Sequence, residues 1–316
     1  MSATNNSIAF TNATLLDGTA SMEPRPNMTV TVNRGVITGI APDAIARIED
    51  GARVIGLAGA YLLPGLINMH VHLCGSGKPV SAGDAGSLMK KLDNPVGRAI
   101  VRRILKSSAQ QQLASGVTTV RGAGDPLLCD LDVRDAINAG KYPGPRLVSP
   151  GTGVTVPGGH GAGLFAQVAN TPQEAASMVQ SLAQRGVDVI KLFVTGGVFD
   201  ATEPGEPGVV RMSPEVAQAS CEAAHKLGIP VMAHVESTEG VRIALAAGVD
   251  TIEHGAPMDD EIRDLYLSRS GAQLAGRPAS VTCTISPALP FTLLDPEKTH
   301  STEVQKINGD IVCSGI

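Results

Sequence analysis

Aromatic side chains are nearly missing from this chain: it has no tryptophan, and three Tyr with five Phe make up 3% of its 316 residues. A core built from it must therefore be aliphatic. Excess positive charge is also lacking. The 25 Lys and Arg face 30 Asp and Glu for a formal net charge of -5, which leaves no basic footprint for a nucleic-acid partner. No apolar run approaches the roughly 20 residues that span a bilayer, so no membrane partner is expected. The stretch from Met1 to Ala20 has neither a cationic start nor an apolar segment, and no signal or transit peptide is read there. Cys74, Cys129, Cys221, Cys283 and Cys313 are scattered, odd in number and without a Cys-x-x-Cys. That excludes a disulfide framework and a zinc–thiolate site, and points to reduced thiols in a cytoplasmic compartment. What remains is 43% hydrophobic and long enough for one large domain with a smaller one.

The first sixty positions read as short strands at 8–16, 28–32, 36–40 and 53–56, punctuated by Asp17-Gly18 and Asn33-Arg34-Gly35, with no room for a long helix. Residues 1–60 are thus expected to form a small β layer, and 61–316 a larger second part. In that second part four junctions resemble one another: Leu-Ala-Ser-Gly-Val-Thr-Thr-Val-Arg to Arg121, Ala-Gln-Arg-Gly-Val-Asp-Val-Ile-Lys to Lys191, His-Lys-Leu-Gly-Ile-Pro-Val-Met-Ala-His to His234, and Leu-Ala-Ala-Gly-Val-Asp-Thr-Ile-Glu-His to His254. In each, a helical segment stops at a glycine suited to the left-handed position past a helix end (Gly116, Gly186, Gly228, Gly248). A short β-branched strand then follows, closed by a polar residue. Repeated helix–glycine–strand units imply a parallel sheet, and polar residues at the carboxyl ends of parallel strands are where a (β/α)8 barrel keeps its site. An open doubly wound sheet competes, but no Gly-x-Gly-x-x-Gly follows the first strand.

Seven barrel strands are predicted, at 62–68, 117–121, 146–149, 187–194, 229–234, 249–254 and 280–285, with helices over 173–184, 214–227 and 238–247. A last helical run over 301–313 leads to no eighth strand.

His70 and His72 close the run Leu-Leu-Pro-Gly-Leu-Ile-Asn-Met-His-Val-His. Residues two apart on a strand share a face, so both imidazoles aim at one point, as a shared metal ion requires. Two structural histidines are the plainer alternative, but His234 and His254 stand at matching strand ends. Four imidazoles around one barrel mouth suit zinc or a similar divalent ion. Lys191 is out of place among them as an ammonium; carboxylated by carbon dioxide it becomes an anion able to bridge two metals.

The Pro-Gly-Leu-Ile-Asn-Met-His-Val-His run, Val-Ile-Lys-Leu-Phe, Val-Met-Ala-His and Thr-Ile-Glu-His-Gly resemble the amidohydrolase superfamily of metal-dependent hydrolases, nearest its imidazolonepropionase-like, Xaa-Pro or Xaa-Arg dipeptidase branch. The resemblance implies an α/β fold, a (β/α)8 TIM-type barrel with a small N-terminal β-sandwich layer. It also implies a binuclear centre of two divalent ions, zinc foremost, held by His70, His72, Lys191, His234 and His254. In such proteins a bridging hydroxide attacks an amide carbon of a dipeptide or other small molecule. This chain departs from the pattern in one place. The family's strand-eight Asp, which binds metal and carries a proton to the leaving amine, has no counterpart, since neither Asp295 nor Asp310 has the spacing. A shortened form of a larger enzyme, impaired in turnover, is the expectation that follows.

Further residues carry weaker signals. Gly158-Gly159-His160-Gly161 follows strand three, where His160 is a candidate catalytic or substrate-holding group or an incidental loop histidine. Arg121 ends strand two, either as a substrate contact or as a rim ion pair. Thr195-Gly196-Gly197 gives room at the mouth. Glu236 stands where a single-metal deaminase of the same fold keeps its acid–base group. His225, near a helix end, reads as structural, His300 as solvated, and Cys74 as a packing residue. Self-association into a homo-oligomer stays open.

Overall fold

Alternating short runs and turns in the first fifth of the chain become a sheet. A computed structural model describes residues 6–75, 85–198, 201–269 and 278–284. Strands β1 (Ser7–Leu15), β2 (Arg25–Asn33), β3 (Val36–Pro42), β4 (Arg53–Gly56) and β5 (Tyr61–Leu62) form one layer in the order β3-β2-β1-β4, with β5 also on β1. The β1–β2 and β2–β3 pairs are antiparallel, while β4 and β5 run parallel to β1. The β2–β3 turn works because Arg34 and Gly35 take φ of 51° and 79°, the left-handed pair a two-residue hairpin needs. Leu15, Met28 and Val30 are buried in this layer, with Leu62 packed against them. By contacts the chain divides into Met1–Leu66 and Ile67–Ile316.

The second unit alternates strands and helices: β6 (Leu66–Val71), α1 (Ala85–Leu92), α2 (Pro95–Ala114), β7 (Val117–Gly122), α3 (Cys129–Asn138), β8 (Arg146–Val148), β9 (Gly153–Thr155), β10 (Ala166–Val168), α4 (Pro172–Gln184), β11 (Ile190–Phe193), α5 (Pro214–Lys226), β12 (Val231–Val235), α6 (Thr238–Ala247), β13 (Thr251–His254), α7 (Asp260–Arg269) and β14 (Ser280–Thr282). Helix starts follow local chemistry. Asn94, Thr171 and Ser213 each cap a helix whose first residue is proline, and Ser237 caps α6. Gly116, Gly186, Gly228 and Gly248 take φ of 90°, 76°, 73° and 104°, the left-handed stops read from the sequence.

Strands β6-β7-β8 form one sheet and β10-β9-β11-β12-β13-β14 another, the latter parallel throughout. Between β8 and β11 the Asp188 amide donates to the Ser149 carbonyl at 2.9 Å, and the Ser149 amide to the Asp188 carboxylate at 2.8 Å. The strands β6, β7, β8, β11, β12, β13 and β14 thus succeed one another in chain order with helices between, the order of a TIM-type barrel and not of a sheet that reverses at a switch point. The strand expected at 280–285 is described as Ser280–Thr282. Ile285, His300, the 301–313 run and the two spacing-excluded aspartates, Asp295 and Asp310, lie outside the described residues.

The core is aliphatic, as the composition demands. Ile190, Leu192, Val231, Ala233 and Ile252 from the strands pack on Val179, Leu182, Ala217, Cys221 and Leu245 from the helices. Each of the Val, Leu and Ile side chains among them contributes about 1.5–3 kcal/mol when fully buried. Among the described residues no helix is long and apolar enough to cross a membrane.

Candidate metal centre

Strand alternation decides what points where. On β11, Ile190 and Leu192 join the aliphatic core beneath the helices. Lys191 and Phe193 therefore share the opposite face. Lys191 is fully buried, its Nζ has no hydrogen-bond partner, and it lies 4.9 Å from the centre of the Phe193 ring. The four imidazoles converge on the same interior. His70 lies 5.6 Å from His72 and 4.9 Å from His254 between ring centres, and His254 lies 4.6 Å from His234. All five residues singled out as metal ligands are brought together.

Three of the four rings are held from behind by Nδ1. His70 Nδ1 meets Glu253 Oε2 at 2.7 Å, His72 Nδ1 meets the Gly124 carbonyl at 2.6 Å, and His254 Nδ1 meets the Thr284 hydroxyl. Each thereby offers Nε2 to the interior. His234 is turned the other way: its Nε2 donates to the Gly196 carbonyl at 2.7 Å, leaving Nδ1 as the inward donor. Anchoring one nitrogen so that the other faces an ion is the usual support of a ligating histidine.

Burial keeps these rings neutral, the form that binds metal. It pulls His72 down to about 3, and the Lys191 charge adds to this while the Gly124 carbonyl opposes it. His70, His234 and His254 are also held well below the usual imidazole value, first by burial and then by Lys191, His160 and His70 respectively. Burial likewise pulls Lys191 down to about 7, against the Glu253 charge and with the Arg121 charge. A buried amine with no partner, ringed by neutral imidazoles, fits a divalent-metal centre better than a structural role.

His160 is buried and stacks on His234 with ring centres 4.5 Å apart and planes 25° from parallel. It also meets Phe165 and Phe193 edge-on at 5.6 and 5.4 Å. Its loop is framed by β9 and β10, two strands too short to show periodicity in sequence. Gly197, from the Thr195-Gly196-Gly197 turn, abuts the ring: a Cβ there would lie 2.4 Å from His160 Cε1.

Arg121 forms an ion pair, as one of its two readings had it, but inside and not at the rim. It points inward, donating to Glu253 Oε1 at 2.7 Å and to Thr282 Oγ1 at 2.9 Å. Glu236 stays near the ligands: donor atoms of His234, Glu236 and His254 all lie within 4.8 Å of one another. His225 is structural, pairing with Asp250 at 2.9 Å. Cys74 packs against the β7–α2–α3 core, and burial pushes its thiol up.

Glu253, Phe165, Phe193 and Thr284 were not singled out from sequence. Scarcity was a usable signal for two of them, since Phe165 and Phe193 are two of only five phenylalanines.

A family model described as the amidohydrolase family matches residues 61–275. A solved structure of a candidate prolidase from Bifidobacterium longum shares 36% identity with a TM-score of 0.79, covering 99% of this chain and 69% of its own. A Xaa-Pro dipeptidase solved with methionine in its active site shares 26% with a TM-score of 0.77, covering 98% and 74%. Ochratoxinase of Aspergillus niger is 25% identical over 241 residues, 68% of this chain and 48% of that protein. The chain spans about half the length of the curated relatives it matches first. The match over 61–275 takes in all four imidazoles and the buried lysine between them, and on it the chain belongs to the amidohydrolase family, whose members generally work with divalent metals.

Proposed function

We propose that this chain carries the catalytic barrel of a metal-dependent hydrolase that cleaves the amide C–N bond of a small peptide or N-acyl amino acid. The observation that supports this most directly is the Lys191 amine, fully buried and without a hydrogen-bond partner among four imidazoles. A neutral amine adds to carbon dioxide: the nitrogen lone pair attacks carbon, the N–H proton leaves to solvent, and a carbamate anion results. With that anion, His70, His72, Lys191, His234 and His254 would hold two divalent ions, and zinc suits such a mixture of imidazole and oxygen donors. Bound there, the ions would polarise the scissile carbonyl and ease deprotonation of water. Phe165 and Phe193 would wall the site with apolar surface and keep bulk water out. His160, set against His234, would hold a carbonyl or carboxylate of the substrate.

The test combines metal analysis by mass spectrometry with amine release from a panel of Xaa-Pro dipeptides, other dipeptides and N-acyl amino acids. Close to two ions per chain are expected, and Lys191→Ala should lower both metal content and turnover. Folded protein that takes up no divalent ion when zinc and bicarbonate are supplied would refute the reading.

The clustering of His234, Glu236 and His254 favours a second reading, a single-metal deaminase or cyclic-amide hydrolase with Glu236 carrying the proton. One ion per chain, retained in Lys191→Ala, would select it. Two ions without hydrolysis of any substrate would instead mark a metal-binding but inactive chain.

A further inference from the structure

Neighbouring residues on a strand face opposite sides of the sheet, so Glu253 and His254 should not both reach the interior. They do. His254 takes φ of 72°, a left-handed value uncommon outside glycine although histidine adopts it more readily than most, and the alternation breaks there. Glu253 Oε2 consequently lies 2.7 Å from His70 Nδ1 while the His254 ring stands 4.9 Å from the His70 ring. Such backbone conformations persist where the surroundings over-determine them, and they gather at functional sites.

The surroundings here are built around Arg121. Its Nη2 donates to Glu253 Oε1 at 2.7 Å and to Thr282 Oγ1 at 2.9 Å, its Nη1 to Thr251 Oγ1 at 3.2 Å, and its Nε to the Met69 carbonyl at 2.8 Å. One planar guanidinium thus ties together β6, β13 and β14 from inside. It engages one Glu253 oxygen and leaves the other for His70. With one oxygen on Arg121 and one on His70, Glu253 is not placed as a metal ligand.

From this geometry we infer that Glu253, clamped by Arg121, is the positioning residue that holds His70 in its Nδ1-protonated form and presents Nε2 to a divalent ion. The inference rests on the metal-centre reading above. His72 and His254 are backed by neutral acceptors, the Gly124 carbonyl and the Thr284 hydroxyl, so His70 alone of these three has a carboxylate behind it. A carboxylate in that position fixes ring orientation and raises the basicity of the ligand; its loss typically lowers metal affinity about 10–100-fold.

The experiment strips wild type, Glu253→Ala and Glu253→Gln of metal and titrates each with zinc ions alone against a chromophoric chelator. Long-range 1H–15N spectra of the metal-free proteins read the histidine tautomers, with His70→Asn identifying the His70 signals. Wild type should show His70 protonated at Nδ1. Glu253→Ala should lose that preference and bind one zinc equivalent about 10–100-fold more weakly. Glu253→Gln has one acceptor oxygen where Glu253 uses two; with that oxygen on Arg121 its amide N–H faces His70 Nδ1, so the tautomer should reverse to Nε2–H and affinity should fall at least as far as in Glu253→Ala. It also leaves Arg121 a partner, so it serves as the deciding variant if Glu253→Ala does not fold. Wild-type zinc affinity in the deciding variant overturns the positioning role and leaves the metal centre standing. A loss of affinity with an unchanged His70 tautomer in folded Glu253→Ala overturns it too, because that marks general loosening. Wild-type protein that binds no zinc overturns the metal centre and this inference together.

Discussion

At the scale of single residues the site depends as much on the absence of side chains as on their presence. His160 can stack on His234 only because residue 197 has no Cβ; one added there would lie 2.4, 2.5 and 2.7 Å from three atoms of the ring. No left-handed φ is recorded at Gly197, so alanine is tolerated by the backbone and its effect is steric. Gly197→Ala should therefore push the His160 ring off His234 while leaving the five ligands in place. Displacements of about 1 Å in an oriented site can cost on the order of 10²-fold in rate. Turnover should fall by that order with metal content unchanged, measured on one preparation by steady-state kinetics and metal analysis. Full turnover in Gly197→Ala would return His160 to the incidental loop histidine that the Gly-rich sequence also allows.

At the scale of elements, the β7–α3 connection supports the His-x-His strand through a carboxyl group whose charged form burial makes costly. Asp125 accepts from the Cys74 amide at 2.8 Å and the Leu73 amide at 3.2 Å, just past His72. Burial, helped by the Asp130 charge, pushes Asp125 up to about 8, and burial pushes Asp130 up to about 6. Both groups hold a proton in the folded chain that the unfolded chain releases near pH 4. Their contribution is thus fully present below about pH 4 and is lost as pH rises towards 8, by up to about 1.4 kcal/mol per pH unit for one proton. Asp125→Asn should flatten that slope. Denaturant melts at pH 5 and pH 8 should show a smaller stability drop in the variant than in wild type, and equal drops would remove Asp125 from the account. The same connection shows what was legible in the sequence. Helix–glycine–strand junctions are local, so Gly116, Gly186, Gly228 and Gly248 and the ligands beyond them could be read directly. Glu253 could not, because alternation assigns it and His254 to opposite faces and only the left-handed φ at His254 puts both inside. Arg121 stays open between a substrate contact and a rim ion pair in the sequence, because nothing along the chain shows that its partners are Met69, Thr251, Glu253 and Thr282 on β6, β13 and β14. Strands β9 and β10, three residues each, are too short to carry a period.

At the scale of the whole molecule, the ligands come from β6, β11, β12 and β13, and the residue behind one of them is tied to β14 as well. No single helix–strand unit can bind metal alone, so binding and the folding of the second unit are linked. An ion that binds only the folded state at a free concentration of 100 times its Kd adds about 2.7 kcal/mol. For a unit of this size each kcal/mol moves the melting temperature by about 2–4 °C. Zinc returned to chelator-stripped protein should therefore raise Tm by about 5–10 °C, read by calorimetry. Lys191→Ala should show a reduced shift, since it removes the one residue proposed to serve both ions. The layer up to Leu66 contains none of the five ligands, so a transition belonging to that unit should not move with zinc. If both transitions moved equally, the metal would be bound somewhere other than the barrel interior. If neither moved while zinc remained bound, the unfolded chain would be binding zinc as tightly as the folded one, and the affinity would not come from the assembled five-residue site.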